Sequence, residues 1–465
     1  MRNGGYFPMK DVPNLLSSAD GKHPVYTGGT LDLHPAIEVF KGALFSVSEA
    51  LPGRMELLQQ TALALITRRH QLLISRAGTG KSLYGENVFG QFEGELFKAQ
   101  FTQGTRLETV LGGLDLQLFN QGKLWHNTRN SLISADFAYL DEFMNSNDLV
   151  LEAILGVLNE RKFTEGEQQE DARLHTALAM TNHLKYSVIA EPILDRFMFK
   201  ASIDPRGDTL DDIMIDLAYA QHHGRPMPVA HPLPLSVLQE MSNLVQGKDP
   251  DRTITASHSM LFLKNDLIER YMNLASRRTQ APESNGRREG QRSPDQRTSE
   301  EMYVSPRTKA ACRDVLNASA LLHHRFEVVR ADLNALRFVL TTIAGNDRTA
   351  SPQQDIFTEA LNATFGAYTD EDLQQVDELT TIAQNFHWFA TGMLVEAHAN
   401  HGPIVRLFLA LMGKTSWNDV GYDTFVDALR ARRLVNPRVN ALREEILGDI
   451  LNHAHDEKAQ VNARA

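Results

Sequence analysis

The sequence predicts an α/β fold: a parallel sheet covered by helices, followed by an α-helical lid and a further mainly helical C-terminal domain. Three observations predict it. The stretch Leu72–Ser82, LLISRAGTGKS, is a short apolar run that breaks into a glycine-containing loop and ends in Gly80-Lys81-Ser82, where a helix should begin. Apolar strand runs then alternate with helical patterns as far as Thr181, the mark of a parallel sheet with helices on both faces. From Pro205 onward no strand run is convincing, and the apolar residues recur at helical spacing.

Taken in order, residues 1–33 are rich in Gly, Pro and Ser and read as an irregular arm. Ile37, Phe40, Leu44, Val47 and Leu51 mark a helix that Pro52-Gly53 breaks. A second helix, Arg54 to about Thr67, leads into the strand Leu72-Leu73-Ile74. A helix from Ser82 and a strand near Leu96–Thr102 come next, then the Gly-rich segment Gly104–Gly122, which reads as an insertion. Strand Phe137–Leu140 precedes a helix over Leu149–Arg161. The polar stretch Thr164–Asp171 reads as a hairpin tip and His175–Thr181 as a strand.

Beyond Pro205, helical patterns cover Thr209–Gln221, Leu235–Val245, Ser259–Ala275, Ser305–His323 and Arg330–Ala344. Ser276–Ser299 carries six Arg, three acids and two Pro with almost nothing apolar, so it reads as disordered. After a boundary at Gly345–Gln354, the remainder reads as helices around Phe357–Phe365, Phe386–Ala399, Ile404–Leu411 and Thr424–Leu451. The expected domains are 1–33, 34–205, 206–344 and 345–465.

Composition narrows the class. The 465 residues suggest about three domains. A net charge of -11 argues against coating nucleic acid, although it permits a local basic patch. The single cysteine, Cys312, permits no intrachain disulfide and fits a reducing compartment. No run approaches 18 apolar residues, and the N-terminus lacks an apolar signal core, so a soluble, cytoplasmic protein is expected. His323-His324 and the pair His398 and His401 lack neighbouring Cys or carboxylates at ligand spacing and read as ordinary histidines. Trp388, Phe389, Met393 and Leu394 have core spacing. Arg430, Arg432, Arg433 and Arg438 read as a solvated or subunit-facing surface.

The candidate chemistry converges on the loop. Ala77, Gly78, Thr79 and Gly80 would wrap phosphates with backbone N–H groups, joined by Ser82 and Leu83 at the start of the helix. Lys81 would reach the β- and γ-phosphates of ATP, and the Ser82 hydroxyl would ligate Mg²⁺. Ser75 stands where G-x-x-x-x-G-K-[ST] has its first Gly. The run FAYLDE ends in Asp141, which would hold Mg²⁺ through water, and Glu142, which would polarise the attacking water. Asn182 closes the strand ALAMTN, where ligands gather, and either caps the strand or orients that water. Arg196 either sits in a salt bridge, with Asp195 as one partner, or aims at a phosphate. Arg307 opens a helix after Pro306, in position to point back at nucleotide.

With QFT (Gln100–Thr102), LDE, LNERKF (Leu158–Phe163), MTN, EPILDRF (Glu191–Phe197) and VSPR, in that order, the chain from about Ile37 to Ile343 resembles the MoxR family of AAA+ ATPases. The match looks closest to the RavA-like branch. The resemblance implies a P-loop AAA+ αβα core with a helical lid, in a hexameric ring with nucleotide at subunit interfaces. It makes Asn182 the sensor-1 residue, Arg196 the arginine finger and Arg307 the sensor-2 arginine. It also makes Gly104–Lys123 the helix-2 insert and Lys162–Leu174 the hairpin before sensor 1, both facing the pore or a partner, and puts the adenine pocket near Leu51–Met55. The implied activity is ATP hydrolysis coupled to remodelling of a protein client, with a von Willebrand factor A domain protein as the suggested partner. The C-terminal 110 residues depart from RavA-like proteins, which carry a small β-rich module there. Two other classes compete: a P-loop kinase or GTPase, for which no Asn-Lys-x-Asp guanine reader exists, and a nucleotide-gated scaffold, which Ser75 would fit.

Overall fold

The computed structural model describes residues 14–18, 24–76, 78–182, 194–203, 209–280, 304–345, 351–390 and 421–464. The chain forms two compact units, one of residues 5–256 and 267–361 and the other built chiefly from 257–266 and 362–465.

The larger unit is organised by a six-stranded parallel sheet. Its strands are β1 (Gln71–Ser75), β2 (Leu96–Gln100), β3 (Phe137–Asp141), β6 (Thr176–Thr181), β7 (Phe199–Ile203) and β8 (Thr342–Ala344), in the order β2-β3-β6-β1-β7-β8. β1 lies inside the sheet, Leu72 opposite Ala179 of β6 on one side and Lys200 of β7 on the other. β6 is buried at all six positions, as befits a strand covered on both faces. β2 is one edge of the sheet, half-buried to exposed along its length, and carries Lys98, which pairs with Glu86 at 2.7 Å.

Helices α1 (Leu33–Ala50) and α2 (Met55–Ile66) precede β1. In α1 the expected stripe Ile37, Phe40, Leu44 and Val47 is fully buried. α2 is tied to the sheet by buried amides: Gln71 donates to Gln60, and Gln60 donates to the carbonyls of Lys200 and Phe338. α3 (Lys81–Phe89) follows β1, and α6 (Asp148–Glu160) follows β3, capped by the Asn147 side chain on the Val150 N–H. Between β2 and β3 lie two short helices, α4 (Leu107–Leu111) and α5 (Leu116–Phe119). The polar stretch read as a hairpin tip is the hairpin itself, β4 (Lys162–Glu165) paired antiparallel with β5 (Gln168–Asp171) around Gly166.

After the sheet come α7 (Thr209–His222), α8 (Leu235–Val245), α9 (His258–Gln280) and α10 (Pro306–Leu322). α9 runs to Gln280, so Ser276–Gln280, expected to be disordered, is helical; residues 281–299 lie outside the described residues. Cys312 is buried in α10.

The expectation of a helix over Arg330–Ala344 is corrected. A 3-10 turn, Arg330–Leu336, and one helical turn, Arg337–Leu340, lead into β8. Asp332 anchors the turn from inside, accepting from Arg325, Ser319 and the Val329 N–H. Thr341, Thr342 and Ile343 are β-branched, and Ile343, fully buried opposite Ala201, completes the sheet. A strand therefore does follow Pro205, and β7, which the sequence reading passed over, is its partner.

The smaller unit is helical. It takes the end of α11 (Pro352–Ala367), from Asn362 onward, and then α12 (Asp370–Ala390), α13 (Tyr422–Arg430) and α14 (Pro437–Arg464). The expected single helix over Thr424–Leu451 is two, because Pro437 has no N–H to continue it and instead opens α14. Phe386 and Phe389 pack with Tyr422 and Phe425. Arg432 pairs with Glu378 and Arg438 with Asp266 at 3.0 Å, so two of the four arginines read as surface bind within their own chain. His398, His401, Met393, Leu394 and the pattern Ile404–Leu411 lie outside the described residues.

Gly85 of α3 lies against the Tyr139 ring, and a Cβ there would come within 2.7 Å of Tyr139 Cε2. Tyr139 is buried and has no room to retreat. Gly85→Ala is expected to destabilise the larger unit by ~1–3 kcal/mol, seen as a lower denaturant midpoint; an unchanged midpoint would show that α3 lies further from the sheet.

Candidate nucleotide site

The loop after β1 turns on two glycines, Gly78 with φ 82° and Gly80 with φ 80°, in the left-handed region that favours glycine. Ala77 lies outside the described residues. A side chain at Gly80 would also touch Leu51 at 3.5 Å. Ser75 is the buried last residue of β1: its hydroxyl accepts from Thr79 Oγ1 at 2.9 Å, and its carbonyl accepts from Lys81 Nζ at 3.2 Å. The residue standing in place of glycine thus braces both sides of the loop.

Three predicted residues meet beside it. Lys81, 9% exposed, donates from Nζ to Asn182 Oδ1 at 2.5 Å and lies 3.9 Å from Glu142 Oε1. Asn182 Nδ2 in turn donates to Glu142 Oε1. These groups come from α3, β6 and the end of β3, whose carboxyl ends face the same side of the parallel sheet. Asp141 ends β3, and its Oδ1 accepts from the Glu142 N–H. Tyr139, two residues earlier and so on the same strand face, donates to Ser82 Oγ at 3.1 Å. Burial pushes the Tyr139 phenol up to about 12, which keeps it a donor at neutral pH. The pair expected to hold Mg²⁺ is thus carried toward one place, and a hydroxyl beside a carboxylate is a fitting donor set for a hard cation.

A cleft of about 350 Å³ adjoins the loop, lined by Leu51, Pro52, Gly78, Thr79, Gly80 and Leu83, with Ile215, Ala218, Tyr219 and His222 of α7 opposite. Leu51 lies where the resemblance put the adenine pocket. The α7 residues were missed: their spacing reads as one helix face, and nothing local says that it borders a ligand. Tyr139 was missed too, though its period-two relation to Asp141 was a signal.

Arg307 does not join this group. Its guanidinium donates to Asn159 Oδ1 at 2.6 Å, in a groove shared with Arg68, Arg69, Arg161, Asp195 and Arg196. The groove includes His70, immediately before β1, and so lies at the amino end of the strand whose carboxyl end carries the loop. The expectation that Arg307 points back at nucleotide in its own chain is corrected: the start of α10 faces Asn159 at the end of α6. Burial first, then the charges of Arg68 and Arg69, push Arg161 down to about 10. Its guanidinium is spent on the carbonyls of Arg68, Leu174 and His175.

Comparison with known proteins bears on the same region. The family described as the MoxR domain in the MoxR-vWA-beta-propeller ternary systems matches residues 38–225. This part of the chain belongs to the MoxR family of AAA+ ATPases. That description does not name the RavA-like branch. Chaperone MoxR1 of Mycobacterium tuberculosis is 24% identical over 190 residues, 40% of this chain and 50% of that protein. YeaC of Bacillus subtilis, an uncharacterised protein, is 22% identical over 317 residues, 66% of this chain and 85% of YeaC. The chain spans about half the length of MoxR1. The crystal structure of a candidate ATPase from Cytophaga hutchinsonii superposes with a TM-score of 0.52 at 16% identity, covering 72% of this chain and 96% of that one. That likeness shows a shared fold over a longer stretch than the matched residues. Among the described residues no helix is long and apolar enough to cross a membrane, and no group of three or more His, Cys, Asp or Glu could hold a metal.

Lys81→Ala is expected to weaken ATP binding by about 10–100-fold, the scale of one charged hydrogen bond of ~1.5–3 kcal/mol. Calorimetry that found unchanged affinity would remove Lys81 from the phosphate site.

Proposed function

We propose that this MoxR-family chain hydrolyses ATP to ADP and phosphate in a ring of subunits and uses the cycle to remodel a protein partner. The observation that carries the reading is the meeting of Lys81, Asn182 and Glu142 at the carboxyl end of the sheet, beside two left-handed glycines. Lys81 and the loop N–H groups would hold the phosphates, with the base and ribose in the cleft under Leu51 and α7. Ser82 and Asp141 would hold Mg²⁺, which when bound neutralises charge on the phosphate oxygens.

Water oriented by Glu142 and Asn182 attacks the γ-phosphorus. The new P–O bond forms as the bond to the leaving oxygen of ADP breaks, and Glu142 takes the proton. Charge on the transferring group calls for a further cation, and Arg196 and Arg307 lie at the opposite end of β1. A neighbouring subunit presenting that groove would supply both in trans. The groove's excess of arginine over acid supports this, as does the interface position that the family resemblance implies for nucleotide. Partner choice rests on weaker support: the matching family is described from systems containing a vWA protein, and MoxR1 is described as a chaperone. Chemistry that uses no disulfide suits the cytoplasm.

Glu142→Gln and Arg196→Ala should each lower turnover by about 10³-fold or more while leaving ATP binding in place. Co-expressed in equal amounts, the two should recover about a quarter of wild-type phosphate release, since half the intact bases then face a neighbour with an intact arginine. Mixed rings with no recovery would place Arg196 outside the neighbour's site, and loss of nucleotide affinity in Arg196→Ala would remove it from catalysis altogether.

A further inference from the structure

The carboxylate of Glu142 is gripped on both oxygens. Asn182 holds Oε1, and Oε2 accepts from Asn145 Nδ2 at 2.9 Å. Asn145 sits in the 3-10 turn Phe143–Asn145 directly after Glu142, and its own N–H closes that turn on the Glu142 carbonyl at 2.7 Å. Glu142 has φ 51°, a left-handed conformation unusual for a residue with a side chain, so its direction depends on what the turn imposes.

The turn does not stand alone. Gln103 Nε2 donates to the Asn145 carbonyl at 3.0 Å. Asn147, the cap of α6, donates to the carbonyls of Gln103 at 3.3 Å and Thr105 at 2.9 Å. Gln103 and Thr105 are the root of the segment bearing α4 and α5. That segment exposes Leu116 by 72% and Phe119 by 53%. One chain of hydrogen bonds therefore runs from the root of the insert through Asn145 to Glu142, and on through Asn182 to Lys81.

We propose that Asn145 is a positioning residue for Glu142 and that Gln103 acts through it, so that the placement of the insert sets the turnover rate. The proposal rests on Glu142 being the base for ATP hydrolysis. Asn145 touches no phosphate-loop residue in this network; it aims the carboxylate across the Lys81 ammonium, where the attacking water must be oriented. A displacement of the insert root shifts the 3-10 turn, and the carboxylate follows, because its Oε2 is bonded to that turn. Misplacement of a reacting group on the ångström scale is enough to cost a large factor in rate.

The test compares wild type, Asn145→Ala, Gln103→Ala and the double variant by steady-state phosphate release and by titration with a fluorescent ATP analogue. Asn145→Ala is expected to lower kcat about tenfold and Gln103→Ala about threefold, each with analogue affinity within about twofold of wild type. The double variant should lose less than the product of the two single losses, because the side-chain route from Gln103 to the Glu142 carboxylate runs through the Asn145 amide and only the turn's backbone bond remains without it. Unchanged kcat in Asn145→Ala, or losses that multiply in the double variant, overturns the relay. If Asn145→Ala does not fold, the exposed Gln103→Ala decides: a loss in kcat alone supports the relay, and wild-type kcat overturns it. Wild type that releases no phosphate overturns the ATPase reading, and the relay with it.

Discussion

A lysine ammonium that is 9% exposed needs partners, because desolvating a charge without them costs several kcal/mol. Lys81 finds them in the Ser75 carbonyl, the Asn182 amide oxygen and the nearby Glu142 carboxylate. Each partner comes from the end of a different strand, so the arrangement requires β1, β3 and β6 to be parallel and in register. That register rests in turn on buried runs such as β6 and on the amides of Gln60 and Gln71, which clamp α2 to the sheet. The site is a consequence of the sheet, and loss of sheet register would scatter it.

Opposite ends of β1 carry the two groups of residues on which the proposed chemistry rests. The carboxyl end presents the loop, the carboxylates and the candidate nucleotide cleft; the amino end presents Arg196 and Arg307. Five residues of strand span about 16 Å, too far for an arginine side chain of the same subunit to cross through a packed sheet. Under the proposed function, a single chain would carry both groups of residues on faces too far apart to meet within one molecule. The proposed ring, in which one chain's amino end would meet the next chain's carboxyl end, would bring the two together.

Much of this was legible in the sequence because it is local. Strand, loop and helix around Gly80-Lys81-Ser82 follow from apolar patterning and glycine placement, and LDE and MTN announce strand ends. What was not legible depends on contacts distant in sequence. β8 is three residues long, and only its pairing with Lys200–Ser202 of β7 makes it a strand. The direction of Arg307 is set by Asn159, 148 residues away. Ser75 looked like a defect in the loop, yet its hydroxyl and carbonyl are both used there. Pro437 was readable from the outset as a helix start and was passed over within a long amphipathic pattern.

The most direct test of the two-ended account is specific phosphate release from Mg-ATP as a function of protein concentration, with the same samples sized in solution. The account predicts activity per chain that climbs steeply and saturates as rings form, because each site is completed by its neighbour. Activity per chain that is constant across concentrations at which the protein sizes as a monomer would contradict it, and would mean that one chain supplies every group that hydrolysis needs.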